Sequence, residues 1–270
     1  MIALILHNIR RSWVLGILAT AAAFGFEVIA NRVFAQIQEK AGAGPSALAQ
    51  FMPKWVQSAF DINPQSMTEL NGFLSVCVQH PFLMVVLLAL PVALLSGWLT
   101  GDVENRSLAL VLVRPVSRFK LVAAAFLVMT GWSALGILAT WAGCLMGAHW
   151  TGQAGSLNTA GLARAIAGLA ALIFAFMGIA AVVSASLSVR GDAVGWCITI
   201  ILLMYVWNFL AQVWYGGGGV TNYSLFRFYE PTKLLLQDQP LSHGIWVLAS
   251  IGASGWILSA VVYRLRSFTL

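Results

Sequence analysis

The chain has 270 residues, of which 60% are hydrophobic and only 9% charged, with a formal net charge of +6. Too few polar residues are present to cover the surface of a soluble domain, so the composition defines an integral membrane protein. Positive charge in such a chain is accounted for by membrane topology and anionic lipid, and it gives no support to nucleic-acid binding.

Only helices and closed barrels satisfy their own backbone in lipid, and a helix needs about 20 apolar residues to cross. Six segments qualify, at residues 12–30, 82–100, 121–147, 163–187, 193–213 and 244–263, and no period-two alternation points to a barrel. The expected fold is all-α, one transmembrane domain over 1–270.

The first span follows Arg10 and Arg11. It is read as a span rather than a cleaved leader, because the run is long, contains Glu27 and lacks a good cleavage pattern near Phe34 and Ala35. Residues 1–9, with Ile2, Leu4, Ile5, Leu6 and Ile9, are expected to form a separate interfacial helix. Glu27 is the one carboxylate well inside a span, an expensive placement that Asn31 and Arg32 are expected to satisfy.

An outer segment, 31–81, leads to the second span, which Pro91 should kink by removing a backbone donor. Spans three and four exceed a straight crossing and must tilt or protrude. Gly143 and Gly147 form a GxxxG in span three, and Ala163, Ala167, Ala171 and Ala175 form a small-residue stripe in span four; both are packing signals. Trp13 and Trp98 mark the inner interface, and Trp150, Trp214, Tyr215 and Trp246 the outer one. Gly216 to Gly219 read as an outer turn, followed by an aromatic-rich stretch that re-enters or lies along the outer face, within the outer segment 214–243.

Lys and Arg set the orientation. With a cytosolic N-terminus, nine fall inside (Arg10, Arg11, Arg106, Arg114, Arg118, Lys120, Arg190, Arg264, Arg266) and six outside (Arg32, Lys40, Lys54, Arg164, Arg227, Lys233). The inner segments are the shorter ones, so the density bias is larger, and both termini are expected in the cytosol.

Motifs of catalysis are missing from the sequence. No lysine follows a glycine, so there is no phosphate-binding GK[ST] loop, and no GxSxG, HExxH or CxxC occurs. The chain is therefore read as a non-enzyme without a cofactor of its own. Cys77, Cys144 and Cys197 imply no disulfide framework and are read as packing residues. His80, His149 and His243 fall on the outer side as weak metal-ligand candidates, but their spacing is not that of a metal site.

One segment stands apart. Residues 101–120, GDVENRSLALVLVRPVSRFK, place an apolar Leu/Val stretch between an acidic head and a basic tail, in the short connection between spans two and three. Such an apolar knob with charged edges suits helix-in-groove docking. Asp102, Glu104 and Ser107, the stretch closing on Arg114 and Pro115, and Ser117 and Arg118 resemble the cytosolic loop of type-2 ATP-binding-cassette (ABC) transporter permeases. Arg106-Ser107 stands where that family usually has Gly-Thr. The six-span layout is similar as well.

The resemblance implies the membrane-spanning subunit of an ABC exporter in a bacterial cytoplasmic membrane. It further implies a second, identical permease chain, lipid around the bundle, and separate ATPase subunits that bind ATP and Mg and act through the 101–120 loop. The coupling residues would be Asp102, Glu104, Arg106, Ser107, Arg114, Pro115, Ser117 and Arg118. The alternative class, an ion-coupled secondary transporter or another polytopic protein without an ATPase, would need intramembrane ionisable groups or inverted repeats.

Overall fold

Six long helices account for the six expected spans in the computed structural model, which describes residues 1–40, 69–105, 117–215, 223–237 and 243–266. In chain order the helices are α1 (Ile2–Lys40), α2 (Leu70–Cys77), α3 (Pro81–Leu95), α4 (Arg118–Trp150), α5 (Thr159–Ser186), α6 (Arg190–Tyr215), α7 (Pro231–Leu236) and α8 (His243–Leu265). Among the described residues there is no strand, and the fold is all-α.

Helix α1 is longer at both ends than its apolar run. Its 39 residues, about 58 Å at 1.5 Å each, far exceed a bilayer core of about 30 Å, and no break separates residues 1–9 from the span. The expected separate interfacial helix is therefore absent: nothing between Ile9 and Ser12 stops a helix, and Ser12 bonds back to the carbonyl of Asn8 at 2.7 Å without interrupting it. Helix α4 likewise overshoots its apolar run, reaching from Arg118 to Trp150.

Two helix seams organise the bundle, α1 along α4 and α5 along α8. Both use glycine as a notch. A Cβ at Gly178 of α5 would lie 2.6 Å from the carbonyl oxygen of Gly252 on α8, and one at Gly255 would lie 2.6 Å from the backbone of Gly178. Backbone touches backbone there, which is how small residues let helices associate where lipid supplies no hydrophobic drive. The alanine stripe expected to serve this purpose does not: Ala163 is exposed, Ala167 and Ala171 are half-buried, and only Ala175 is fully covered.

On the α1/α4 seam the GxxxG expectation holds, with polar side chains in the notches. Cβ atoms at Gly143 and Gly147 would lie 2.9 Å from Glu27 Cβ and 2.7 Å from Asn31 Cβ.

Helix α3 fills the centre and α6 lies at the edge. The apolar window of α3 is 72% buried and that of α6 only 11% buried, so α6 turns Trp196, Ile198, Leu202, Leu203, Val206 and Trp207 away from the bundle. Helix α3 runs on through Pro91 to Leu95, and the irregularity follows, in a buried π-helical turn, Ser96–Gly101. Trp98 sits in that turn at 5% exposure, so it is a packed residue rather than an interface anchor. Trp13, Trp150 and Trp246 are exposed as anchors should be.

Opposite the 101–120 loop, the stretch after α6 packs onto protein. Leu225, Phe226, Tyr229, Leu234 and Leu235 are buried, and α7 packs on α5 and α2. The Tyr229 hydroxyl donates to the carbonyl of Val78 at 3.3 Å, and burial pushes this phenol well above its ordinary pKa, keeping it a donor. Asn158 accepts Gly161 N–H at 2.8 Å as the N-cap of α5 and donates to Leu235 O at 3.2 Å. These residues form a cap over the far face, and Phe226 reaches in to the ring of Phe176 on α5, with ring centroids 5.2 Å apart.

Candidate functional site

The residues expected to couple to a motor divide into two groups. Arg106, Ser107, Arg114 and Pro115 lie outside the described residues. Asp102, Glu104, Ser117 and Arg118 form the two feet of the loop, and three of the four make specific bonds to other parts of the chain.

At the first foot, the π-helical turn passes directly into one turn of α-helix, Asp102–Glu104. The Asp102 carboxylate accepts from Arg11 of α1 at 2.6 Å, an ion pair with both partners partly exposed. Glu104 accepts the backbone N–H of Arg190 at 2.7 Å, so its negative charge sits at the N-terminus of α6, where free amides and the helix dipole favour an anion. The Arg190 side chain runs along the π-helical turn, 3.3 Å from where a Cβ on Gly101 would sit. Inside the turn, Thr100 donates to the carbonyl of Ser184 on α5 at 2.6 Å.

At the second foot, Ser117 occupies the N-cap position of α4 without a capping side-chain bond. Arg118 donates to the carbonyls of Arg264, at 3.3 Å, and Arg266, just past the end of α8. Arg266 in turn donates to the carbonyls of Ala185 and Leu187 at 2.9 and 2.8 Å and to Ser188 Oγ at 2.5 Å. Cations at helix C-termini satisfy carbonyls that have no intrahelical partner. One relay thus joins α4, the end of α8 and the end of α5.

These bonds put Arg11 of α1, the end of α8, both loop feet and the α5–α6 turn on one face. That agrees with an even number of crossings and with the clustering of basic residues used to read topology.

The remaining candidates lie elsewhere. His80 is the N-cap of α3, its Nδ1 accepting from Phe82 N–H at 3.2 Å, with Pro81 as the first helical residue. His149 and His243 are exposed at the end of α4 and the start of α8. Among the described residues no three His, Cys, Asp or Glu side chains gather where a metal could bind. Cys77, Cys144 and Cys197 are buried free thiols.

Sequence reasoning missed the inward partners of Asp102, Glu104 and Arg118. In the sequence Arg11, Arg190 and Arg266 read only as charges that set topology. The one available signal was that each lies within three residues of the end of an expected span.

A bundle of six helices long and apolar enough to cross a membrane, with a connection whose feet are braced by charged residues beside the end of α8, is the architecture of a transporter's membrane domain. The chain belongs to the ABC-2 family of transporter proteins, whose model matches residues 45–206, more than half its length and including the whole of the 101–120 loop. No curated protein and no solved structure matches the chain.

Proposed function

We propose that the chain is the membrane-spanning subunit of an ABC exporter that works as a dimer and is driven by separate ATPase subunits through residues 106–116. The braced feet of the loop carry this reading. A segment that only set topology would need charge but no specific partners, whereas here one foot is tied to α1 and α6 and the other to the end of α8. A push on the loop would thereby reach four helices, α1, α4, α6 and α8, together with the π-helical turn at the base of α3. In this reading Asp102, Glu104 and Arg118 are positioning residues that brace the loop, and Arg106, Ser107, Arg114 and Pro115, with the apolar run between them, meet the ATPase.

The face carrying the loop and both termini is then cytosolic, in the cytoplasmic membrane of a bacterium. ATP, with Mg²⁺, is bound by the partner, and closure of the ATPase pair shifts the bundle between two states by differential contact. The second permease chain is assigned to the exposed face of α6 and the apolar groove it makes with α3, lined by Met84, Val85, Leu88, Ile198, Leu202 and Tyr205. A wall of this composition suits an amphipathic or apolar cargo.

The test is co-purification. Replacing residues 108–113 by a Gly/Ser sequence should abolish recovery of the ATPase subunit while leaving the permease in the membrane; undiminished recovery would overturn the docking assignment. Single cysteines at Asn105 and Gly217 check the orientation: the first should react with an impermeant thiol reagent only after permeabilisation, the second in intact cells.

A further inference from the structure

Glu27 is fully buried between α1 and α4, at 0% exposure, and no ion pair among the described residues involves it. Its Oε2 accepts a hydrogen bond from the Cys144 thiol at 3.4 Å, while its Oε1 has no partner. One turn further along α1, Asn31 is also at 0% exposure, and its Oδ1 too has no partner. The orientation of that amide is fixed, because its Nδ2 donates to the carbonyl of Glu27 at 2.8 Å. Asn31 and Arg32 therefore do not satisfy an ionised Glu27: Asn31 presents an acceptor, and Arg32 is exposed.

Two orphaned acceptors four residues apart on one helix face lie side by side, and neither can donate to the other. A buried carboxylate held by one weak thiol donor and no cation is among the costliest arrangements a protein can carry. The glycine notches at Gly143 and Gly147 hold the two side chains closely, with Cβ positions only 2.9 and 2.7 Å from Glu27 and Asn31 atoms. One hydrogen ion removes both defects at once.

We propose that Glu27 is a proton-binding site within the bundle, a neutral carboxylic acid whose Oε1–H donates to Asn31 Oδ1 while Oε2 accepts from Cys144. The proton comes from water and stays on the carboxyl oxygen, so no other group changes state. The other titratable groups in electrostatic reach are Cys144 on α4, Cys77 on α2 and Tyr229 in the far-side cap. All three are neutral at pH 7 in their ordinary states, and His80 on α3 packs on the ring of Phe26 and accepts from Phe82 N–H. The protonated acid is thus a neutral interhelical lock. This inference does not depend on the ATPase-driven reading.

Infrared spectroscopy of the full chain in lipid vesicles tests it. At pH 7 a carbonyl stretch of a protonated carboxyl is expected in the wild type. It should shift on ¹³C labelling of glutamate side chains and be missing in Glu27→Gln. Labelled wild type alone settles the protonation state should the variant fail to insert.

Glutamine supplies both a donor for Asn31 and an acceptor for Cys144. Glu27→Gln should therefore melt no lower than wild type at pH 7, and a marked loss of Tm in that variant would overturn the proposal. No protonated-carboxyl band at pH 7 would overturn the proposal. So would a wild-type Tm that rises with Na⁺ or K⁺ at constant ionic strength, because an ionised carboxylate would then be holding a metal cation.

Discussion

The two ends of the bundle are closed by different chemistry. On the loop face, charged side chains reach across the structure: Arg11 to Asp102, Glu104 to the N-terminus of α6, Arg118 to the end of α8, and Arg266 to the end of α5. On the far face the ion pairs among the described residues are local, Glu230 with Arg227 and Lys233 three residues away on either side, and the closure comes from buried Leu225, Phe226, Tyr229, Leu234 and Leu235. Apolar burial seals without selecting a geometry, whereas charge-assisted bonds to helix ends hold helices in a fixed relation. The face proposed to receive the motor is the one whose helix ends are tied to one another.

That contrast predicts an order of effects. The largest belongs to the far face, where Tyr229→Ala empties a fully packed aromatic site and should cost about 3–5 kcal/mol, as large-to-small core changes do. Thermal unfolding in detergent should show a marked drop in Tm that salt does not alter; a loss no larger than that of Tyr229→Phe would mean the cap is not a packed seal.

A smaller effect is expected at Arg266, which holds two carbonyls and a serine. Arg266→Ala should cost about 1–3 kcal/mol, the range for charge-assisted bonds to partly buried acceptors. Amide exchange should rise first around 185–188, and unchanged exchange there would remove the relay from α8 to α5.

Many of these features were legible in the sequence, for reasons that differ by residue. The spans could be read because hydropathy is a local sum, and the GxxxG of α4 because its spacing is fixed by helix geometry. Which helix would fill those notches was not legible. Glu27 and Asn31 are placed there by the α1/α4 seam, and no local pattern announces a tertiary neighbour. The close contact of α5 fell at Gly178, against Gly252 and Gly255, rather than on the alanine stripe. Alanine spacing permits close approach on any face, and the α8 backbone decides which face is used. Trp98 looked like an anchor because it lies near the end of an apolar run, yet the π-helical turn carries it inward. The feet of the loop were identified as charged positions, but their partners lie 86 to 148 residues away in sequence.

The smallest stability effect is predicted for the Arg11–Asp102 pair. With both side chains partly exposed, breaking it should cost about 0–1 kcal/mol and less at high salt. The reversed pair, Arg11→Asp with Asp102→Arg, should restore whatever either single change loses. Failure of the reversed pair to rescue would show that Asp102 acts through a different partner.

The central claim is that the loop feet transmit the motor's push, and the sharpest test is Arg118, which joins the second foot to the end of α8. The measurement is permease-dependent ATP hydrolysis in the reconstituted complex of Arg118→Ala with its ATPase partner, beside the amount of ATPase that co-purifies. The account predicts normal co-purification with transport-coupled hydrolysis reduced several-fold. Full coupled activity at normal co-purification would contradict it, returning Arg118 to a charge that only sets topology.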